Sequence, residues 1–118
     1  MFSMSPFKLD LEKRPNGSDA VAVYEARGKL SLETVTEFIP KLRAETAPHV
    51  ILNMGGVNFL DSAGLGSLVS IFVSRRNQGK TFALAGLTSQ ANAVVSVAGL
   101  QNLLPIFKTV EEATAKKP

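Results

Sequence analysis

The pattern of apolar and polar positions predicts a β-hairpin at the start of the chain. Phe7, Leu9 and Leu11 alternate with charged residues over positions 7–12, which is the period-two pattern of a half-buried strand. A second alternating segment covers residues 20–27, and the sequence PNGSD between the two segments is a dense turn signal. We expect the second strand to end where residues 28–31 break the alternation.

The remainder of the chain predicts helices that alternate with short buried strands. Helical spacing marks residues 35–42, where Thr34 and Glu37 could form a capping box and Pro40 should bend or break the helix. Apolar runs predict three more strands, over residues 50–54, 81–86 and, in part, 103–107. Further helices are predicted over residues 65–73, over 89–98 and after a capping-box signature at 109–112. The glycine pair at 55–56 should end the first of these buried strands.

This alternation predicts an α/β fold. Strands that alternate with helices favour a mixed, mostly parallel sheet, here with an N-terminal hairpin and about four covering helices. The length of 118 residues, 45% of them apolar, fits one domain with a core of its own. We therefore expect a single domain over residues 1–118, with flexible ends at 1–6 and 115–118.

Composition excludes several classes of site. The chain has no cysteine and one histidine, so it offers no disulfide, no cysteine-ligated metal and no two-histidine metal site. The net charge of +3 is mild, and we interpret the basic pairs at 13–14, 75–76 and 116–117 as solvated surface. We expect no cofactor, no metal and no direct contact with nucleic acid.

No stretch approaches the roughly 18–20 apolar residues that span a bilayer, and the first residues are unlike a signal peptide. The sequence thus predicts no membrane insertion and a cytoplasmic location.

Two nucleotide-binding motifs match only in part. Gly79-Lys80-Thr81 resembles the end of a P-loop, but it follows a predicted helix and precedes a strand, the reverse of the required order. Gly64-Leu65-Gly66 lacks the third glycine of a dinucleotide fingerprint. A serine nucleophile at Ser62 would need a base, and His49 is expected at the far end of the preceding strand.

Ser62 is the most informative single residue. It follows Asp61 at the predicted start of a helix, where unpaired backbone N–H groups and the positive end of the helix dipole favour an anion. A phosphate on Ser62 would fit there with little refolding. Glycines 64 and 66 would leave room for a partner. From Asp61 and Ser62 alone, however, plain helix capping is the favoured interpretation.

With the neighbouring residues included, the sequence resembles the STAS domain family, and within it the bacterial anti-sigma factor antagonists. The resemblance is carried by the run Asp61-Ser62-Ala63-Gly64-Leu65-Gly66 and extends over nearly the whole chain. It includes the hairpin, Gly28-Lys29-Leu30, Gly79-Lys80 and the run from Val97 to Leu100.

The resemblance implies a binding protein without enzyme activity. It implies that a serine kinase, itself the anti-sigma factor, phosphorylates Ser62, that the unphosphorylated form binds this kinase, and that a phosphatase resets the switch. The resemblance also implies which residues bind the partner: Asp61, Ser62, Ala63, Gly64, Leu65, Gly66 and Ser31. Ser31 stands where these antagonists usually have an aspartate, in a loop that the resemblance implies should lie near the start of the Ser62 helix.

An alternative is a constitutive STAS scaffold, a subunit of a membrane transporter or signalling complex without phospho-switching. Its motivation is Ser31 together with apolar surface expected at Phe59, Leu65 or Leu68. In either case we expect a monomer or a weak homodimer.

Overall fold

The computed structural model describes residues 8–115. These residues form one five-stranded sheet with helices on both faces. The strands are β1 (Leu9–Arg14), β2 (Val21–Leu30), β3 (His49–Leu60), β4 (Thr81–Ala85) and β5 (Ile106–Phe107). The helices are α1 (Val35–Arg43), α2 (Ser62–Asn77), α3 (Ser89–Val97) and α4 (Val110–Ala115). The spatial order is β1-β2-β3-β4-β5; β1 and β2 pair antiparallel and all other neighbours pair parallel. The predicted fold class, hairpin included, is confirmed.

The predicted boundaries of the domain extend beyond the described residues. Residues 1–7 and 116–118, with the predicted flexible ends, Phe7 and the last basic pair, lie outside them. Ala115, which we expected to fray, is the last residue of α4.

Two of the predicted strand ends are wrong, and glycine is the reason in both. β2 continues through Gly28 to Leu30, because Gly28 adopts a φ of +107° at a register shift and a side chain there would overlap the carbonyl of Lys8. β3 continues through Gly55 and Gly56 to Leu60. A Cβ on Gly56 would lie 2.5 Å from the Arg27 side chain, so this glycine permits close strand contact rather than ending the strand.

α1 also differs from its prediction. The Thr34 side chain does not cap the helix; its hydroxyl accepts from the Ser31 N–H (3.0 Å) and donates to the Lys29 carbonyl (2.9 Å). The expected break at Pro40 is absent, and the helix runs on to Arg43 with Phe38 and Leu42 buried. At α4, by contrast, the Thr109 hydroxyl accepts from the Glu112 N–H (3.1 Å), as the signature predicted.

The core lies on both faces of the sheet. On one face α1, α2 and α3 cover the larger cluster, which includes Phe38, Leu68 and Val95. On the other face α4 covers a smaller cluster around Ile51 and Ala113. The sheet therefore holds α2 against one face, and the first residue of α2 emerges at the carboxyl end of β3.

A buried polar cluster fixes the other end of α2. Arg75 is 1% exposed, and its guanidinium donates to the backbone carbonyls of Thr81 (2.9 Å), Glu45 (3.1 Å) and Ala47 (2.7 Å). The interpretation of Arg75 as solvated surface is wrong, whereas its neighbour Arg76 is exposed. Burial lowers the pKa of Arg75.

Glu45 lies beside this cluster and is also buried. It accepts from the Tyr24 hydroxyl (2.5 Å) and the Ala47 N–H (2.9 Å), and it pairs with Lys13 at 3.0 Å. Desolvation alone would raise the pKa of Glu45, but these hydrogen bonds and the Lys13 charge hold it at about 2. The interpretation of Lys13 as solvated surface thus misses its ion pair with Glu45.

Candidate functional site

The candidate site lies where β3 ends and α2 begins. Asp61 is the N-cap residue, and its Oδ1 accepts from the Gly64 N–H at 2.8 Å. Ser62 is the first residue of α2 and is exposed, and its hydroxyl has no hydrogen-bond partner within residues 8–115. Capping is therefore the role of Asp61, and the Ser62 hydroxyl faces solvent at the start of the helix.

Asp61 also ties the loop after β2 to this helix start. Its Oδ2 accepts from the Leu32 N–H at 3.2 Å, and the Asp61 N–H points to the Leu30 carbonyl at 3.4 Å. The expected proximity of the Ser31 loop to the start of α2 is confirmed. One carboxylate thus holds two segments that are about thirty residues apart in sequence.

The two glycines of the motif have different roles. Gly64 is buried, and a Cβ there would overlap the backbone carbonyl of Leu30, so its missing side chain lets α2 approach β2 of the same chain. The expectation that Gly64 leaves room for a partner is corrected accordingly. Gly66 is exposed, and a Cβ there would meet nothing within 4 Å.

The structure brings only part of the predicted partner-binding set to the surface. Ser62 and Gly66 are exposed, and Asp61 and Ala63 are half-buried. Ser31 is 1% exposed and donates to Glu33 Oε1 at 2.9 Å, and Leu65 is 6% exposed. A partner at Ser62 would meet Leu32, which is 66% exposed, rather than the Ser31 side chain.

An apolar groove lies directly beside Ser62. It has a volume of about 360 Å³, and we call it the α3 groove; its lining residues are Ser62, Leu65, Ala93, Val94, Val97 and Ala98. Val97 is 90% exposed, although α3 buries Ala91 and Val95 against the core. The helix predicted over residues 89–98 did not separate its buried apolar positions from its exposed ones. The available signal was an excess of apolar residues, since four of the five residues from Val94 to Ala98 are apolar.

Of the three apolar residues expected at the surface, one is exposed and two are buried. Phe59 is 40% exposed, as expected, and the Lys29 ammonium lies 5.4 Å from its ring centroid. Leu65 and Leu68 are buried, so their expected exposure is wrong. The apolar surface near Ser62 comes instead from α3 and from Leu32.

The histidine of the chain lies far from Ser62. His49 is the first residue of β3, and its Nδ1 lies 2.9 Å from Thr81 Oγ1. At ~3.3 Å per strand residue, β3 separates His49 from Ser62 by tens of ångströms. Between Lys8 and Ala115 there is also no group of three or more acidic or histidine side chains placed to hold a metal ion. In the same stretch, no helix has the length and apolar character needed to cross a membrane.

The fold and the site together define a small α/β domain that presents a serine at the start of a helix, beside an apolar groove. The family model for the STAS domain matches residues 12–113, and the chain belongs to this family.

The proteins that this chain is similar to include anti-sigma factor antagonists and a sulfate transporter family protein. The chain is 26% identical over 93 residues to an anti-sigma-B factor antagonist of Staphylococcus epidermidis, covering 75% of this chain and 86% of that one. Its fold is similar to that of an anti-sigma factor antagonist from Mycobacterium paratuberculosis (TM-score 0.82, 18% identity, 94% and 95% of the two chains). It is also similar to a sulfate transporter family protein from Wolinella succinogenes (TM-score 0.72, 23% identity, 81% and 83% of the two chains).

Proposed function

We propose that this protein is an anti-sigma factor antagonist, a binding protein rather than an enzyme. In its unphosphorylated form it binds an anti-sigma factor that is also a serine kinase. Phosphorylation of Ser62 releases it, and a phosphatase restores the binding form. The observation that carries the proposal is the exposed Ser62 hydroxyl, which has no hydrogen-bond partner in the described part of the chain although it lies within a helix-start motif.

The surroundings of Ser62 support both halves of this switch. Asp61 alone satisfies the Gly64 N–H, so a kinase can take the Ser62 hydroxyl without removing a helix cap. The α3 groove and the exposed Leu32 supply apolar surface for a partner near Ser62. A phosphate would add about −1.5 to −2 charges at the edge of this surface and would disfavour docking by desolvation and repulsion.

Titration calorimetry with the anti-sigma factor tests the switch directly. Ser62→Ala should bind as the wild type does but resist phosphorylation by the kinase. Ser62→Asp should bind at least about tenfold more weakly, because it places a charge beside the apolar groove. Ser74→Asp is the matched control, since it adds the same charge about 18 Å further along α2.

Unchanged affinity in Ser62→Asp would contradict the phospho-switch, provided that Ser74→Asp also binds normally. Peptide mass spectrometry of the protein purified from its host under phosphatase inhibition gives independent information. Phosphate on Ser62 supports the proposal, and its complete absence across growth phases and stress argues for constitutive binding.

A second candidate is the constitutive scaffold. The observation in its favour is Val97, whose 90% exposure offers an apolar contact that no modification needs to create. The similarity in fold to a sulfate transporter family protein is consistent with this role. Affinity purification from the host separates the candidates. A transporter subunit recovered with both wild type and Ser62→Asp favours the scaffold, and a kinase recovered only with wild type favours the switch.

A further inference from the structure

A second concave site lies at the other end of the molecule, where the outer edge of β4 is open. β5 pairs only with Leu84 and Ala85, so Thr81, Phe82 and Ala83 have a strand on one side only. Pro105 explains where the pairing stops: its carbonyl accepts from the Leu84 N–H (2.9 Å), but it has no N–H to donate to β4 in return.

The open edge leaves a backbone donor unpaired. The N–H groups of Leu84 and Gly86 point toward β5, where they donate to Pro105 and Phe107. Alternation along the strand directs the N–H of Phe82 to the same side. No residue between 8 and 115 accepts from it.

A cavity of about 180 Å³ lies at this edge. Its apolar lining includes Ile51, Phe72, Ala83, Phe107 and Ala113, and Phe82 also borders it. An apolar cavity of about 150 Å³ is enough to bind benzene. This cavity therefore has room for one aromatic ring or a short aliphatic chain.

Two cations lie on the same cavity. Arg76 is exposed and stacks over the Phe72 ring at 5.3 Å, and Lys80 is half-buried. Neither forms an ion pair with a carboxylate of the described residues. His49 completes the polar lining and is already bonded to Thr81. The site thus combines an apolar interior with unpaired positive charge.

We propose that this cavity binds a small carboxylate with an apolar body, such as a monocyclic aromatic acid. The ring occupies the apolar interior, and the carboxylate accepts from Arg76 and Lys80. The cavity borders the first residues of β3, whereas Ser62 lies beyond the other end of this strand. The proposal therefore does not depend on the role of Ser62.

Benzoate is a suitable probe, and backbone amide chemical shifts of the full chain are a suitable readout. We expect saturable shifts confined to the starts of β3 and β4, the end of α2 and the segment around Pro105, with a Kd of about 0.1–1 mM for a ligand of this size. Benzyl alcohol has the same ring without the charge and should bind at least about tenfold more weakly.

Charge variants test the assigned cations. Arg76→Gln combined with Lys80→Gln should weaken benzoate binding at least about tenfold and leave benzyl alcohol unaffected. Lys41→Gln combined with Arg43→Gln removes the same charge from α1 and should leave benzoate binding unchanged.

Three results would overturn the proposal: no saturable shift up to about 10 mM benzoate, equal affinity for benzoate and benzyl alcohol, or the same loss of affinity in both double variants. The comparison of the two ligands uses wild-type protein, so the test stands even if a variant does not fold.

Discussion

At the scale of single residues, the site depends on the division of work between Asp61, Ser62 and Gly64. The Asp61 side chain accepts two hydrogen bonds at the helix start, from the Gly64 N–H and from the Leu32 N–H. Gly64 supplies the close contact with the Leu30 backbone. Ser62 makes neither contact, so the motif contains two structural residues, Asp61 and Gly64, around a serine that is chemically available.

Gly64→Ala should destabilise the protein strongly. The new Cβ would overlap the Leu30 carbonyl, which is backbone and cannot move aside cheaply, so we expect a loss of about 2–4 kcal/mol in the free energy of unfolding. Urea denaturation measures this. Gly66→Ala is the control, since it lies in the same helix with open space around it and should be neutral or stabilising by up to about 1 kcal/mol. Equal effects of the two substitutions would contradict the packing role of Gly64.

Glu45 should make stability depend on acid pH. Its pKa is about 2 in the folded protein, below the ordinary value of 4.5, so the folded state binds this proton less readily than the unfolded state. The stabilisation is therefore complete above about pH 4.5 and is lost as the pH falls toward 2; it amounts to about 3 kcal/mol.

Chemical denaturation of wild type and Glu45→Gln between pH 2 and 7 tests this contribution. The variant should be less stable at neutral pH and should show a shallower loss on acidification. Glu37→Gln, on the exposed side of α1, should follow the wild-type curve. Parallel curves for wild type and Glu45→Gln would show that the carboxylate contributes no pH-dependent stability.

At the scale of elements, α3 is a helix whose apolar surface exceeds what the core covers. Ala91 and Val95 are buried, whereas Val97 points to solvent beside Ser62. A helix of nine residues cannot bury apolar residues on all sides against a single sheet. Under the proposed function, this surplus on α3 is the surface that offers a partner apolar contact next to the serine.

Val97→Ser should separate binding from stability. Because Val97 is 90% exposed, the free energy of unfolding should change by no more than about 0.5 kcal/mol. Affinity for the anti-sigma factor should fall about fivefold or more, since the apolar contact is lost. Val95→Ser, in the buried turn of the same helix, should instead cost about 2–4 kcal/mol of stability. Normal partner affinity in Val97→Ser would remove the α3 groove from the interface.

Element types were predictable from the sequence because β1, β2 and α1 show the apolar periods of two and 3.6, and the inner strands are short apolar runs. Element ends were less predictable where glycine occurs. Gly28 and the pair Gly55-Gly56 have the composition of a break, but whether glycine ends a strand or permits close contact depends on the partner strand. The same limit applies to Arg75 and Arg76, which look alike in sequence although only the first points inward to carbonyls from distant segments.

At the scale of the whole molecule, the parallel topology places the α3 groove and the cavity at β4 at opposite ends of the strands. Parallel pairing of β2, β3 and β4 directs their carboxyl ends one way, and the Leu32 loop, Ser62 and the α3 groove meet there. The sequence motif located this end, and the hydrogen bond from Leu32 to Asp61 bears out the predicted proximity. The cavity at β4 was beyond sequence reasoning, because it arises from a strand that is too short to cover its neighbour.

The solvent-facing hydroxyl of Ser62 has a consequence for kinetics. Because the Ser62 side chain supports no part of the fold, a kinase and a phosphatase could act on it while the protein stays folded. Under the proposed function, no unfolding step then limits the rate of phosphorylation or of dephosphorylation. The lifetime of each form would then be set by the concentrations and turnover of the modifying enzymes. Under the proposed function, a population of such molecules could switch repeatedly between the two forms and return to its starting state without new synthesis.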